Sequence, residues 1–330
     1  MHILPAAFFD DTVKMKGEGS GLAFPETVAS KDTGQATGTL LSTGALPDHV
    51  DQYPFADPLY INWYLSHDDG ASWFGPFASG NETFVTLGNP LGDPTANPPV
   101  PGCQTPFRTV LYLATKDSEA TTESQCVTNT WANFSGRNVC AWNDTLRTYS
   151  VPLYYYLSQG PPDNVPALLQ GHDGDCTAWA DFLKQCLLAN NVSNVAVSTA
   201  GANPWLRIVA KEADPKDPTF ACTVNNETRH GSEDFDGNPG INGQGNGGRT
   251  PSSKWFAFHR VVKVGSTYYD PSYGVEPFDD TTADKTTYTQ GAIALGELRL
   301  RCDDGIDRDL LWETQKANGT LWEGPLYFAP

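Results

Sequence analysis

The sequence predicts an α+β chain in two parts, a β-rich sandwich-like domain over residues 1–115 and an α+β domain over 116–330. Period-two alternation of apolar residues is clear over 58–115, in "PLYINWYLS", "ETFVTLG" and "FRTVLYLAT". Helical periodicity starts only after Asp117. A length of 330 residues is enough for two cores.

Residues 1–52 are rich in Gly, Thr, Ser and Pro and read as short strands and loops. The three alternating runs that follow, each bounded by turn residues, read as strands of the sandwich. Between the first two lies "SHDDGASW" (66–73), which resembles the Asp-box pattern S-x-D-x-G-x-[ST]-W. One such box reads as a structural hairpin, because Asp68 suits an Asx turn and Gly70 tolerates positive φ.

Beyond Asp117, "SEATTESQCVTNTWANFSG" and "LLQGHDGDCTAWADFLKQCLLANN" read as helices. In the second, Trp179, Phe182, Leu183, Cys186 and Leu187 form an i, i+3, i+4, i+7, i+8 stripe that needs a core, and Asn190 and Asn191 close it. Residues 225–254 form a polar, Gly-rich insertion, expected to be a mobile loop over a cleft. Its G-x-G-x-x-G at Gly243, Gly245 and Gly248 lacks the leading strand and following helix of a dinucleotide site. "DDGIDRD" (303–309) lacks the oxygen spacing of an EF-hand loop and reads as a solvated acidic turn.

A formal net charge of -18 repels phosphate backbones and anionic surfaces, so no nucleic acid partner is expected. No apolar run approaches the roughly 18 residues of a membrane span, so no membrane insertion is expected either. The opening "MHILPAAFFDD" lacks the basic residues of a signal peptide. Poverty in Lys, with many Gly, Pro, Thr and aromatic residues, nevertheless favours an extracellular or periplasmic, secreted protein. There, six of seven cysteines could form three disulfides and leave one thiol. The absence of any CxxC pair argues against a zinc ribbon or thioredoxin-type site.

Two stretches carry chemistry. Cys176 follows Gly-Asp and opens the stripe-bearing helix. "KWFAFHRVVKVGSTYYDPSYG" (254–274) reads as two antiparallel strands folded about Gly265, with His259 on the first and Asp270 ending the second. Residues eleven apart in such a hairpin lie roughly opposite, close enough for a side-chain bond. A helix N-terminus and an adjacent imidazolium would lower a thiol pKa from about 8.5 by one unit or more. His172, four residues upstream of Cys176, is a rival base without an orienting acid at a readable distance, and His67 and His230 read as solvated.

"GDCTAWADFLKQCLLANNV" followed by "FHRVVKVGSTYYDPSYG" resembles the transglutaminase-like cysteine hydrolase superfamily, in which a Cys starts a helix, a His lies on a strand and an Asp stands before Pro. The resemblance covers about 115–275. It implies a papain-like, transglutaminase-like core over 116–330, preceded by an Ig-like β-sandwich. It also implies Cys176 as nucleophile, His259 as general base and acid, and Asp270 as the residue that orients His259. The oxyanion would be held by the Cys176 backbone N–H, with Trp142 or Trp131 as upstream side-chain candidates. Arg260 and Val261 follow the His where bacterial members commonly have Ala-Trp.

The implied activity is thiol-dependent acyl transfer, with hydrolysis of a peptide or related amide as the leading reading and protein or peptide as substrate. No cofactor and no metal are needed for that chemistry. A protein-glutamine transglutaminase is the alternative enzyme, and a catalytically silent cell-surface scaffold the alternative of another class. Glycoside cleavage, suggested by the Asp-box, would need a carboxylate pair that the sequence does not identify. Oligomeric state is not legible.

Overall fold

The structure is a computed structural model that describes residues 12–32, 35–37, 42–44, 46–91, 108–158, 160–201, 206–210, 221–224, 227–230, 243–245, 255–256, 258–279, 281, 284, 288, 293–301, 307–311 and 327–329. The chain divides into two compact units, Met1–Leu87 with Thr115–Thr122, and Gly88–Ala114 with Glu123–Pro330. The boundary expected at residue 115 thus falls where the chain returns briefly to the first unit. Helices and antiparallel sheets are mixed, as in an α+β protein.

The strands of the first unit are β1 (Thr12–Gly19), β2 (Leu22–Asp32), β3 (Gln35–Thr37), β4 (Asp51–Tyr53), β5 (Leu59–Ser66), β6 (Phe74–Asn81) and β7 (Thr83–Val85). Five of them form a sheet in the order β3-β2-β1-β5-β6, while β4 and β7 pair as a ribbon. Alternation places Leu59, Ile61 and Leu65 of β5 on one buried face, and Leu22, Phe24, Tyr53 and Trp63 pack with them. The Asp-box closes the β5–β6 hairpin as expected. Ser66 Oγ donates to Asp68 Oδ1 (2.7 Å) and accepts from Gly70 N–H (2.8 Å), and Gly70 sits at φ +94°. Hydrogen bonds from Ser72 and Ser66 hold the Asp68 carboxyl well below its usual range.

In the second unit α1 (Arg108–Thr115), α2 (Glu123–Ser135), β8 (Cys140–Asn143), β9 (Thr148–Pro152), β10 (Tyr154–Tyr155), α3 (Val165–Gly171), β11 (Asp173–Gly174) and α4 (Cys176–Ala189) come first. Then follow β12 (Val195–Gly201), β13 (Leu206–Ala210), β14 (Ala221–Val224), β15 (Glu227–His230), β16 (Trp255–Phe256), β17 (Phe258–Val264), β18 (Thr267–Tyr269), β19 (Phe278–Asp279), β20 (Ile293–Arg301), β21 (Asp307–Leu311) and β22 (Tyr327–Ala329). Among the described residues the larger sheets are ordered β19-β18-β17-β12-β22 and β16-β13-β20-β21, and β8-β9, β10-β11 and β14-β15 pair as two-stranded ribbons.

The strand expected at "FRTVLYLAT" is instead α1. Val110, Leu113 and Ala114 are its buried apolar residues, an i, i+3, i+4 set in a run too short to tell from strand alternation. The helix expected from the stripe is α4, and all five stripe residues are buried in it. α4 packs against α2, α3, β12 and β17, and its end is tied by Asn190, whose amide donates to Ala114 O (2.5 Å). Phe134 of α2 meets Trp179 and Phe182 edge-on. The β17–β18 hairpin turns at Gly265–Ser266, with Gly265 at φ +61°.

Within the Gly-rich insertion Glu227–His230 is β15, paired with β14 just before it, and Gly243–Gly245 is packed inside the second unit; the other insertion residues lie outside the described ones. The acidic turn falls outside them as well, up to Asp307. Among the described residues, Cys126, Cys140, Cys176 and Cys186 are in no disulfide. With these four of the seven in no disulfide, the three bridges that composition allowed are not the arrangement in this structure. Among the described residues no helix is long and apolar enough to cross a membrane.

Candidate active site

Cys176 is the first residue of α4, placed by its neighbour. Asp175 is the N-cap, in extended backbone, and its Oδ1 accepts the N–H groups of Thr177 (2.7 Å) and Ala178 (3.0 Å). The cap uses the second and third N–H groups of the helix, not that of Cys176. Gly174 precedes it closely packed, since a Cβ there would meet Ala178 Cβ and Leu168 Cδ1 at 3.0 Å. The thiol thus stands at the positive end of the helix dipole, with its own N–H beside it.

His259 lies on β17 opposite Ala200 of β12, and Asp270 follows β18 directly. Both side chains are fully buried. The register pairs Val262 with Tyr269, so His259 and Asp270 stand diagonally across the hairpin and not level. His259 Nε2 meets Asp270 Oδ2 at 3.0 Å. A carboxylate only accepts, which assigns a proton to Nε2 and leaves Nδ1 as the nitrogen available to the neighbouring Cys176.

Asp270 is held from four sides. Its Oδ1 accepts Ser272 N–H (3.0 Å) and Tyr273 N–H (3.2 Å), while Oδ2 accepts His259 Nε2–H and the Tyr288 hydroxyl (2.6 Å). Burial presses the His259 pKa down, but the Asp270 charge and hydrogen bond, with a hydrogen bond and charge from Cys176, outweigh it and raise the ring to about 10. The imidazolium is therefore the stable form of this ring beside the thiol and the acid.

Tyrosines wall the group. Tyr155 and Tyr273 flank the imidazole at ring separations of 6.4 and 5.5 Å, and their own rings meet at 5.1 Å. Burial first, then neighbouring Tyr273 and Cys176, push the Tyr155 hydroxyl well above its ordinary pKa, so it stays a neutral donor. Tyr156 is half-buried and close enough to Cys176 that, after burial, the thiol is the main influence raising its pKa. Its backbone is left-handed at φ +52°, and the next two N–H groups, of Leu157 and Ser158, both bond the Asp173 carboxylate at 2.8 Å. Cys176 itself is 2% exposed.

No protein-family model, curated protein or solved structure matches this chain. What the site can do therefore rests on its own geometry.

Of the residues singled out from sequence, Cys176, His259 and Asp270 come together. Trp142 does not serve as expected, because its indole N–H donates to Asp144 Oδ1 (2.7 Å) and its ring lies under the Arg108 guanidinium. Trp131 packs edge-on against Tyr269. The rival base His172 is the C-cap of α3, at φ +62°, its N–H bonding Leu168 O and its carbonyl accepting from Tyr154. His67 lies against Phe74 in the first unit, and the side chain of His230 falls outside the described residues. Cys186 is core, and burial drives its thiol pKa far up.

Gln244, inside the discounted glycine motif, was not legible as a site support. It is fully buried, and its Nε2 donates to Phe134 O (2.7 Å) and Pro271 O (2.8 Å). Its backbone N–H reaches Ser272 O and its carbonyl accepts from Tyr155 N–H. One residue thus pins the loop after Asp270 to β10 and to the end of α2. Gly245 beside it sits at φ +69°, where a Cβ would fall 2.2 Å from Leu153 O. The glycine at 245 is what lets the backbone come this close.

Proposed function

We propose that this protein performs thiol-dependent acyl transfer on amide bonds, and that the reaction is hydrolysis of a peptide or related amide. The observation that carries the reading is the buried Cys176–His259–Asp270 line, with the thiol at a helix N-terminus and the carboxylate on the far nitrogen of the imidazole. The Cys176 thiolate attacks the amide carbonyl while the N–H at the start of α4 faces the developing oxyanion. The proton on His259 Nδ1 passes to the leaving amine, and a thioester remains on Cys176. Water, giving its proton to Nδ1, then releases the acid and restores the thiolate beside the imidazolium.

On this reading the second unit is a papain-like core of transglutaminase type, preceded by a sandwich-like domain. Transamidation has one observation in its favour. The nucleophile is 2% exposed behind tyrosines, and a dry thioester lives longer for an amine to intercept.

The test is cleavage of a peptide-amide library by the wild type, Cys176→Ser and His259→Ala, with a primary amine added in a parallel series. Turnover lost in both variants supports the reading, and the ratio of free acid to amine adduct decides between its two forms. Turnover that survives in Cys176→Ser, or none in any protein, would leave the scaffold reading in its place.

A further inference from the structure

We propose that Tyr288 is a positioning residue of this site, whose hydroxyl sets how strongly Asp270 holds the His259 imidazolium. The inference rests on the Cys–His–Asp reading above and adds a fourth group to it.

Three observations carry it. The Tyr288 hydroxyl donates to Asp270 Oδ2 at 2.6 Å, the same oxygen that accepts His259 Nε2–H. The Tyr288 ring is stacked on Phe278 at 4.1 Å and 16°, and Phe278 is stacked on Tyr268 at 5.2 Å and 15°. This column fixes where the hydroxyl points. The ring is also 3% exposed, so the bond is sheltered from water. Packing alone would be met by phenylalanine, and the hydroxyl is what touches the acid.

Two donors on one carboxylate oxygen compete for its charge. The Tyr288 hydroxyl draws electron density away from the contact with His259, which moderates the hold on the imidazolium and keeps the ring able to give its proton up. The titratable groups facing His259 are Asp270, Cys176, Tyr155 and Tyr273. Those facing Tyr288 are Asp270, Tyr273 and Cys176, and the open cleft beside it, about 370 Å³, adds Arg137, Glu276 and Asp284. The Tyr288 hydroxyl donates to Asp270, so removal of the hydroxyl acts on His259 through that carboxylate.

The experiment is Tyr288→Phe, alone and on Asp270→Asn, with His259 titrated by NMR and Cys176 alkylation by iodoacetamide followed against pH. The hydroxyl's loss is expected to raise the His259 pKa by about 0.5 to 1 unit, the shift one hydrogen bond sustains, and to move the alkaline break in alkylation by the same amount. In the Asp270→Asn background the shift is expected to vanish. Phe278→Leu, which loosens the stack and keeps the hydroxyl, is the control for packing and is expected not to raise the pKa. A His259 pKa that stays or falls in Tyr288→Phe, or rises equally in Phe278→Leu, overturns the proposal. The NMR titration reads this whether or not Cys176 proves to be a nucleophile, so the two readings fail separately.

Discussion

Asp270→Asn is the perturbation with the largest calculable consequence. In the folded chain the His259 pKa is about 10 against an ordinary 6.5. At about 1.4 kcal/mol per unit, this corresponds to roughly 5 kcal/mol of preference for the imidazolium. Asparagine takes away the charge and, with its oxygen kept on the Ser272 and Tyr273 N–H groups, turns an NH2 toward His259. The ring must then accept at Nε2 and carry its proton on Nδ1, facing the thiol it should deprotonate.

The expected loss in turnover is therefore about 10³ to 10⁴ fold, the cost of a wrong tautomer in a triad. Stability should change with pH in a defined sense. A His pKa raised by folding contributes stability that is complete below about 6.5 and is lost as pH rises through about 10. Urea unfolding of the wild type and Asp270→Asn at pH 6 should differ by about 3 to 5 kcal/mol. By pH 9 the gap should have shrunk by more than half, to about 1.4 kcal/mol of the histidine part plus the pH-independent part from the backbone contacts of Asp270. A gap equal at both pH values, or turnover within tenfold of wild type, would refute the reasoning.

Other outcomes follow from the same geometry. The alkaline limb of kcat/KM should fall near pH 10, where the imidazolium is lost, and a limb near 7 would mean that the Asp270 bond does not hold the ring. Asp175→Ala orphans the Thr177 and Ala178 N–H groups and should cost about 1 kcal/mol in urea unfolding. Gly245→Ala combines a left-handed backbone with a 2.2 Å approach to Leu153 O and should cost more than about 2 kcal/mol, visible as a lowered Tm. Tyr156→Ala should speed iodoacetamide capture of Cys176 several-fold, since the half-buried ring beside the thiol is removed while the triad contacts stay.

The parts of this fold that were legible in sequence are those whose signal is local. Five apolar residues at helical spacing specify α4, and Gly265 between two alternating arms specifies the hairpin that joins His259 to Asp270. The misread strand at α1 has eight residues, too few for a period of two to be told from 3.6. Gln244, Tyr155, Tyr273 and Tyr288 support the site through contacts made across long sequence separations, Gln244 lying 110 residues from the Phe134 carbonyl it bonds. No periodicity marks such residues. One weak sign was present at Gln244, a lone amide between two glycines, which suits a side chain that must enter a tight place with its backbone close behind.

The central claim is that His259 activates Cys176, and Cys140 supplies an internal reference for it. Cys140 is likewise in no disulfide but is half-buried, whereas Cys176 is almost wholly covered. The most direct measurement is intact-mass and peptide analysis after brief iodoacetamide treatment at pH 6, on the wild type, Cys176→Ser and His259→Ala. The expected result is one rapid adduct, on Cys176 ahead of the more exposed Cys140, absent in Cys176→Ser and slowed at least tenfold in His259→Ala. An adduct that forms first on Cys140, or a Cys176 rate indifferent to the loss of His259, would contradict the claim.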